Sequence, residues 1–140
     1  MVNALDGAFA NLIGSLKELV RSVDAEVLYR HPPAVSIGEQ ILRSAAVIEQ
    51  TFGGLTANLW DDPFEWTLPE TLSTPESIVE YLSEVNSTRQ RFFSSLASDG
   101  ALGKFVLVPS GESKTLIELL LDTLLRASDY RGRAVNREKA

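Results

Sequence analysis

The sequence predicts an all-α protein, a four-helix bundle with long connecting loops. Two observations carry that prediction. Four stretches of roughly 20 residues repeat apolar side chains at spacings of three and four, the period of one helix face. Three of the four open on helix-starting signals, and the joins between them hold Pro, Gly and Asp. The chain of 140 residues is one domain's worth, 1–140, and large enough for a real core.

The first helix is predicted from about Asn3 to Val23. Leu5, Phe9, Leu12, Ile13, Leu16, Leu19, Val20 and Val23 form its apolar stripe, with Lys17, Glu18 and Arg21 on the other side. Asp24 is a candidate end. Tyr29-Arg30-His31-Pro32-Pro33 reads as non-helical, because each proline disfavours helix at the residue before it. The second helix opens on the capping box Ser36-Ile37-Gly38-Glu39, and Ile37, Ile41, Ala45, Ile48, Phe52, Leu55 and Leu59 make its stripe. Gly53-Gly54 weakens it by about 1 kcal/mol per glycine and marks a kink or a close helix approach. Trp60 to Pro69 reads as a loop whose two Trp and one Phe pack it down onto the bundle.

The third helix starts either with Thr74 as cap and Pro75 first, or with Ser73 as cap and Glu76 completing a box. Ile78, Tyr81, Leu82, Val85, Phe92, Phe93 and Leu96 give its stripe, and Asp99-Gly100 stops it. Within Ala101 to Lys114, the β-like run Phe105-Val106-Leu107-Val108 is expected to be an extended connector rather than a sheet. The fourth helix opens on Thr115-Leu116-Ile117-Glu118. Leu116, Ile117, Leu119, Leu120, Leu121, Leu124 and Leu125 then cover more than one face, which in so small a domain implies burial against a second copy and hence a homodimer. The polar tail from Arg133 to Ala140 is expected to fray. An antiparallel-type bundle is the natural arrangement of these four helices.

Composition excludes several chemistries. The chain has no cysteine and one histidine, His31, so disulfide scaffolds, thiol nucleophiles, Fe–S clusters and sites needing two imidazoles are excluded within it. An oxygen-only Mg²⁺ or Ca²⁺ site stays open, since 19 Asp and Glu are present. A net charge of −6 argues against nucleic acid or an anionic membrane as partner. The start of the chain lacks the basic region of a signal peptide and no run is long enough for a membrane span, so the cytoplasm is the expected address.

The order of these signals resembles the DinB-like (YfiT-like) family. Pro32-Pro33 precedes Ser36-Ile37-Gly38-Glu39 and Ile41-Leu42; Thr74-Pro75-Glu76 opens the third helix; Thr115-Leu116-Ile117-Glu118-Leu119-Leu120 runs to Tyr130-Arg131-Gly132. The resemblance spans nearly the whole chain. It implies a four-helix bundle, often a homodimer, with a divalent metal held at one end by three histidines, and in known members thiol-dependent transferase or isomerase chemistry. The positions that match those histidines hold Arg43, Arg126 and Tyr130. Guanidiniums stay protonated and donate no lone pair to a metal. The resemblance therefore keeps the family's frame and loses its metal site, so no cofactor is expected.

In such a bundle Arg43, Arg126, Tyr130, Asp129 and Glu49 converge at one end. Two arginine forks and a phenol suit a small acid or phosphate. A plainer reading stands beside it: Glu39–Arg43 and Asp122–Arg126 are acid-before-base pairs on a solvated face, and the arginines neutralise Glu49, Asp122 or Asp129. Other candidates are poorer. His31 has no nucleophile near it in sequence. Asp61, Asp62 and Glu65 lack the pattern of a Ca²⁺ loop, and Trp60 and Trp66 read as a hydrophobic plug. The leading expectation is a small-ligand binding or interaction protein without catalytic residues; the alternative is a metal-independent, thiol-dependent transferase using the same pocket.

Overall fold

A computed structural model describes residues 1–30 and 35–139; His31, Pro32 and Pro33 lie outside the described residues. The protein is a helical bundle. Its long helices are α1 (Val2–Ser22), α3 (Ile37–Ala57), α4 (Pro75–Ser95) and α5 (Leu116–Lys139), with a single-turn α2 (Ala25–Leu28) after α1. Short 3₁₀ turns occupy Pro63–Glu65 and Asp99–Gly103.

The capping chemistry acts where the sequence places it. The Ser36 hydroxyl accepts from the Glu39 N–H at 3.1 Å. Thr74, rather than Ser73, caps α4, with Pro75 first, and the reciprocal partner is Ser77 instead of Glu76. The Glu118 N–H donates to Thr115 Oγ1 at 3.3 Å at the start of α5.

α1 packs on α4, α4 on α3, α3 on α5 and α5 back on α1, closing a ring around the core. Phe9, Phe52, Phe92 and Phe93 form its aromatic centre, with ring centroids 5.0–6.1 Å apart in tilted and edge-on pairs. The directions depart from the antiparallel-type expectation. Glu49 meets Thr88 and Phe52 meets Phe92, so α3 and α4 run parallel. Ser44 meets Ala127 and Thr51 meets Thr123, so α3 and α5 run antiparallel. Two consecutive parallel helices need a connection that runs the length of the bundle. Residues 58–74 are that connection: the segment passes back along α3, from Gln50 bonded to the Trp60 carbonyl to Tyr29 bonded to the Leu72 carbonyl.

The glycine pair ends α3 rather than kinking its middle. Gly53 and Gly54 carbonyls accept from Leu59 and Asn58, and Asn58 adopts the left-handed conformation that closes many helices. A Cβ on Gly54 would overlap the Trp60 indole, so the close approach is a loop on a helix. Leu59 consequently leaves the stripe and is exposed. Trp60 and Phe64 pack down as expected, whereas Trp66 is 54% exposed.

Two further expectations are corrected. Phe105–Leu107 (β1) pairs antiparallel with Ser113–Thr115 (β2), so the run is half of a small hairpin instead of a bare connector. The alternating pattern is used: Val106 packs on the core while Phe105 and Leu107 face outward. The tail also does not fray. α5 continues to Lys139 because Ala134 is fully buried, Val135 packs on the core, Asp129 and Arg133 pair at 2.7 Å, and Glu138 accepts from the Ser22 hydroxyl.

No helix among the described residues is long and apolar enough to cross a membrane.

Candidate functional site

Three of the five candidate residues line one pocket, at mid-length of the α3–α5 seam rather than at one end of the bundle. Arg43 projects from α3, and Arg126 and Tyr130 from α5, one helical turn apart on the same face. The returning loop closes the third side with Asp62 and Phe64, and Gln50 stands two turns along α3 from Arg43. The cavity is small, about 60 Å³. That is space for a handful of waters or a single carboxylate, since one water needs roughly 10–15 Å³ on this measure.

Each guanidinium is oriented by a neighbour without being tightly paired. The Arg43 guanidinium lies 4.1 Å over the Phe64 ring, and its Nε is 3.8 Å from Glu39 Oε2. Arg126 is 3.9 Å from Asp122 on its own helix. Both ion pairs of the plainer reading therefore exist. They are long, partly exposed and worth a few tenths of a kcal/mol at most, so neither arginine's fork is fully used. Asp62 contributes one carboxylate, whose Oδ1 caps the 3₁₀ turn by accepting from the Phe64 N–H at 3.0 Å. Among the described residues Asp62 is the one acid in the pocket's lining, while Glu39 and Asp122 stand 3.8 and 3.9 Å from the two guanidiniums at its edge.

Next to this pocket a larger groove of about 300 Å³ runs between the hairpin tip and the α3–α5 seam. Gln50 and Arg126 border both spaces, and Trp60, Pro109 and Leu119 give the groove apolar walls. The donor-rich pocket thus adjoins a trough of mixed lining, in which Ser110, Lys114 and Asp122 stand beside those apolar walls.

Glu49 and Asp129 are not part of this pocket. Asp129 faces outward, paired with Arg133. Glu49 turns to α4, where Thr88 donates to its Oε1 at 3.3 Å and its Oε2 is buried without a partner. Burial, foremost, pushes its carboxyl up to about 7; the Thr88 hydrogen bond and Arg91 work against this and Glu84 adds to it. The Tyr81 hydroxyl is likewise buried, with Thr67 beside it; burial foremost and then the charge of Glu49 push its phenol up, and Thr67 works against them.

The donors at the pocket do not fit the divalent metal that the family resemblance implies. Arginine nitrogens offer no lone pair, and one carboxylate with one phenol falls short of a ligand set. Among the described residues no three His, Cys, Asp or Glu side chains gather closely enough to hold a metal ion. Asp61 and Glu65 are exposed and stand apart from Asp62's capping role.

Gln50, Asp62 and Phe64 are pocket residues that sequence reasoning missed. Gln50 was findable, seven residues after Arg43 and so on the same α3 face. Asp62 and Phe64 arrive on an irregular loop, with no periodicity to point at the site. Neither a scan against protein-family models nor a search of curated proteins finds a match for this chain.

Proposed function

We propose that this chain is a divergent DinB-like bundle without the family's metal site, acting in the cytoplasm as a homodimer that binds a small carboxylate or phosphate-type anion between Arg43 and Arg126. The carrying observation is that two incompletely paired guanidiniums from facing helices line one pocket with Tyr130 and Gln50. The anion's charge is met by Arg43 and Arg126, and Tyr130 and Gln50 supply further hydrogen-bond donors. A ligand with an apolar body extends along the adjoining groove past Trp60.

The dimer rests on a separate observation. Leu121 and Leu125, one turn apart on α5, are 44% and 70% exposed while Leu116, Leu119 and Leu120 are buried. The helix thus has a second apolar face that its own bundle does not cover.

The test is calorimetric titration of the full chain with acetate, benzoate, oxalate and inorganic phosphate. Saturable binding of at least one acid is expected, weakened about tenfold or more by Arg126→Gln and by Arg43→Gln. No saturable binding to folded protein, or binding untouched by both substitutions, overturns the reading.

A further inference from the structure

We propose a second, separate ligand site where the α3–α5 seam ends, at the start of α3 and the end of α5, with the chemistry to take a free aliphatic α-amino acid. A cavity of about 350 Å³ lies where the end of α1, the α2 turn, the start of α3 and the end of α5 meet. Its size falls at the lower end of the roughly 300–1,000 Å³ found for small-molecule pockets.

The walls divide by chemistry. Val23, Val27 and Ile37 give apolar surface, all three packed on or within the core. Arg30 and Arg137 bring two guanidiniums, and Asp24 and Glu138 two carboxylates. None of these four charged groups belongs to an ion pair among the described residues. Arg137 Nε is buried with no hydrogen-bond partner among the described residues. A buried donor on a charged group is costly to leave unmade, and a carboxylate supplies the acceptor it lacks. Among the described residues Glu138 Oε2 accepts from the Ser22 hydroxyl, at 3.1 Å, and its carboxylate stands exposed at the rim, as do Asp24 and Arg30.

Two positive and two negative groups around an apolar patch match a zwitterion with an aliphatic side chain better than a simple anion. The ligand carboxylate meets Arg137 and Arg30, its ammonium meets Asp24 and Glu138, and its side chain rests on Val23, Val27 and Ile37. A net-neutral rim would hold a plain acid poorly, since Asp24 and Glu138 repel it.

Titration of the full chain carrying Arg43→Gln and Arg126→Gln together, which takes away the anion pocket that would itself accept either carboxylate, with leucine, 4-methylpentanoate and 3-methylbutylamine separates the contributions. Leucine is expected to bind saturably, and each compound lacking one charge to bind at least about tenfold more weakly. Arg137→Gln and the exposed Arg30→Gln are each expected to weaken leucine about tenfold or more, Arg30→Gln serving if the Arg137 variant fails to fold. Leucine is expected to keep its affinity for this site in that double variant, which separates the site from the anion pocket. The proposal is overturned if leucine fails to saturate the double variant by about 10 mM, or if 4-methylpentanoate binds that variant as tightly as leucine does.

Discussion

Glu49 on α3 and Thr88 on α4 share a hydrogen bond of 3.3 Å, and the second oxygen of the same carboxyl is buried with nothing to bond. The bundle thus holds a titratable group at a parallel helix contact in a form that favours its proton. Arg91, whose Nη2 donates to the Thr88 hydroxyl, and Glu84 are the other charges bearing on it, with the Tyr81 phenol beside them.

The pH dependence follows from the sign. A carboxyl raised from 4.5 to about 7 binds its proton more tightly in the folded state. Its contribution to stability is complete below about pH 4.5 and is lost as pH rises toward 7. Glu49→Gln keeps the shape of the protonated acid and removes the titration. At pH 8 the variant should therefore unfold at higher denaturant than the parent, by about 1–2 kcal/mol after allowing for the carboxyl's partial exposure, and near pH 4 the two should coincide. Urea titrations at both pH values check this; equal stability of the two proteins at pH 8 would refute it.

Gly54 and Gly14 predict opposite effects of the same substitution. At Gly54 an added methyl collides with the Trp60 indole, whereas at Gly14 in α1 nothing lies within 4 Å. Gly54→Ala should destabilise by about 1–3 kcal/mol and disturb the loop that carries Asp62 and Phe64. Gly14→Ala should stabilise by about 0.5–1 kcal/mol through helix propensity alone. Thermal melts of the two variants give the comparison directly, and Trp60 fluorescence should shift only in the first.

Asp6 and Arg89 tie α1 to α4. Arg89 is almost fully buried, its Nη1 donating to Asp6 and its Nε to Asn86 Oδ1. Asp6→Asn leaves that guanidinium buried beside a neutral group and is expected to cost about 2–3 kcal/mol. Arg89→Met replaces it with an apolar chain of similar length and should cost less, because Asp6 reaches solvent once freed. Denaturant midpoints at neutral pH rank the two variants, and the reverse order would mean that the ion pair is not what holds this contact.

Much of the fold was legible because capping and periodicity are local. Ser36, Thr74 and Thr115 each declare a helix start through bonds made within three residues, and Phe9, Phe52 and Ile78 sit on stripes that any amphipathic helix shows. Helix direction was not legible, since it depends on which connections cross the bundle. The parallel α3–α4 pair is a consequence of where residues 58–74 run, which no residue in that loop announces. The tail shows the same limit. Asn136, Arg137 and Glu138 look solvated, yet the small Ala134 lets α5 lie against the core and stay helical. At the site, the matching positions brought Arg43, Arg126 and Tyr130 together because they lie on regular helices in register. Glu49 lies six residues beyond Arg43, about 120° away on a helical turn of 3.6 residues, and so faces α4 instead.

The second apolar face of α5 gives the last prediction. Leu121 and Leu125 are exposed in the single chain, so replacing either with a charge removes little internal packing. Leu125→Asp should leave the melting temperature of the monomeric unit nearly unchanged, yet convert the proposed dimer to monomer. Light scattering at about 10 µM reads the mass directly, because a stable interface of ordinary size has a dissociation constant well below that concentration. The hairpin supplies the control. Phe105 and Leu107 are also outward-facing, 73% and 71% exposed, and offer a competing apolar surface with an open strand edge. If Phe105→Asp breaks the dimer and Leu125→Asp does not, association runs through the hairpin and the α5 interface is wrong. If the parent chain is already monomeric at that concentration, the dimer itself is wrong.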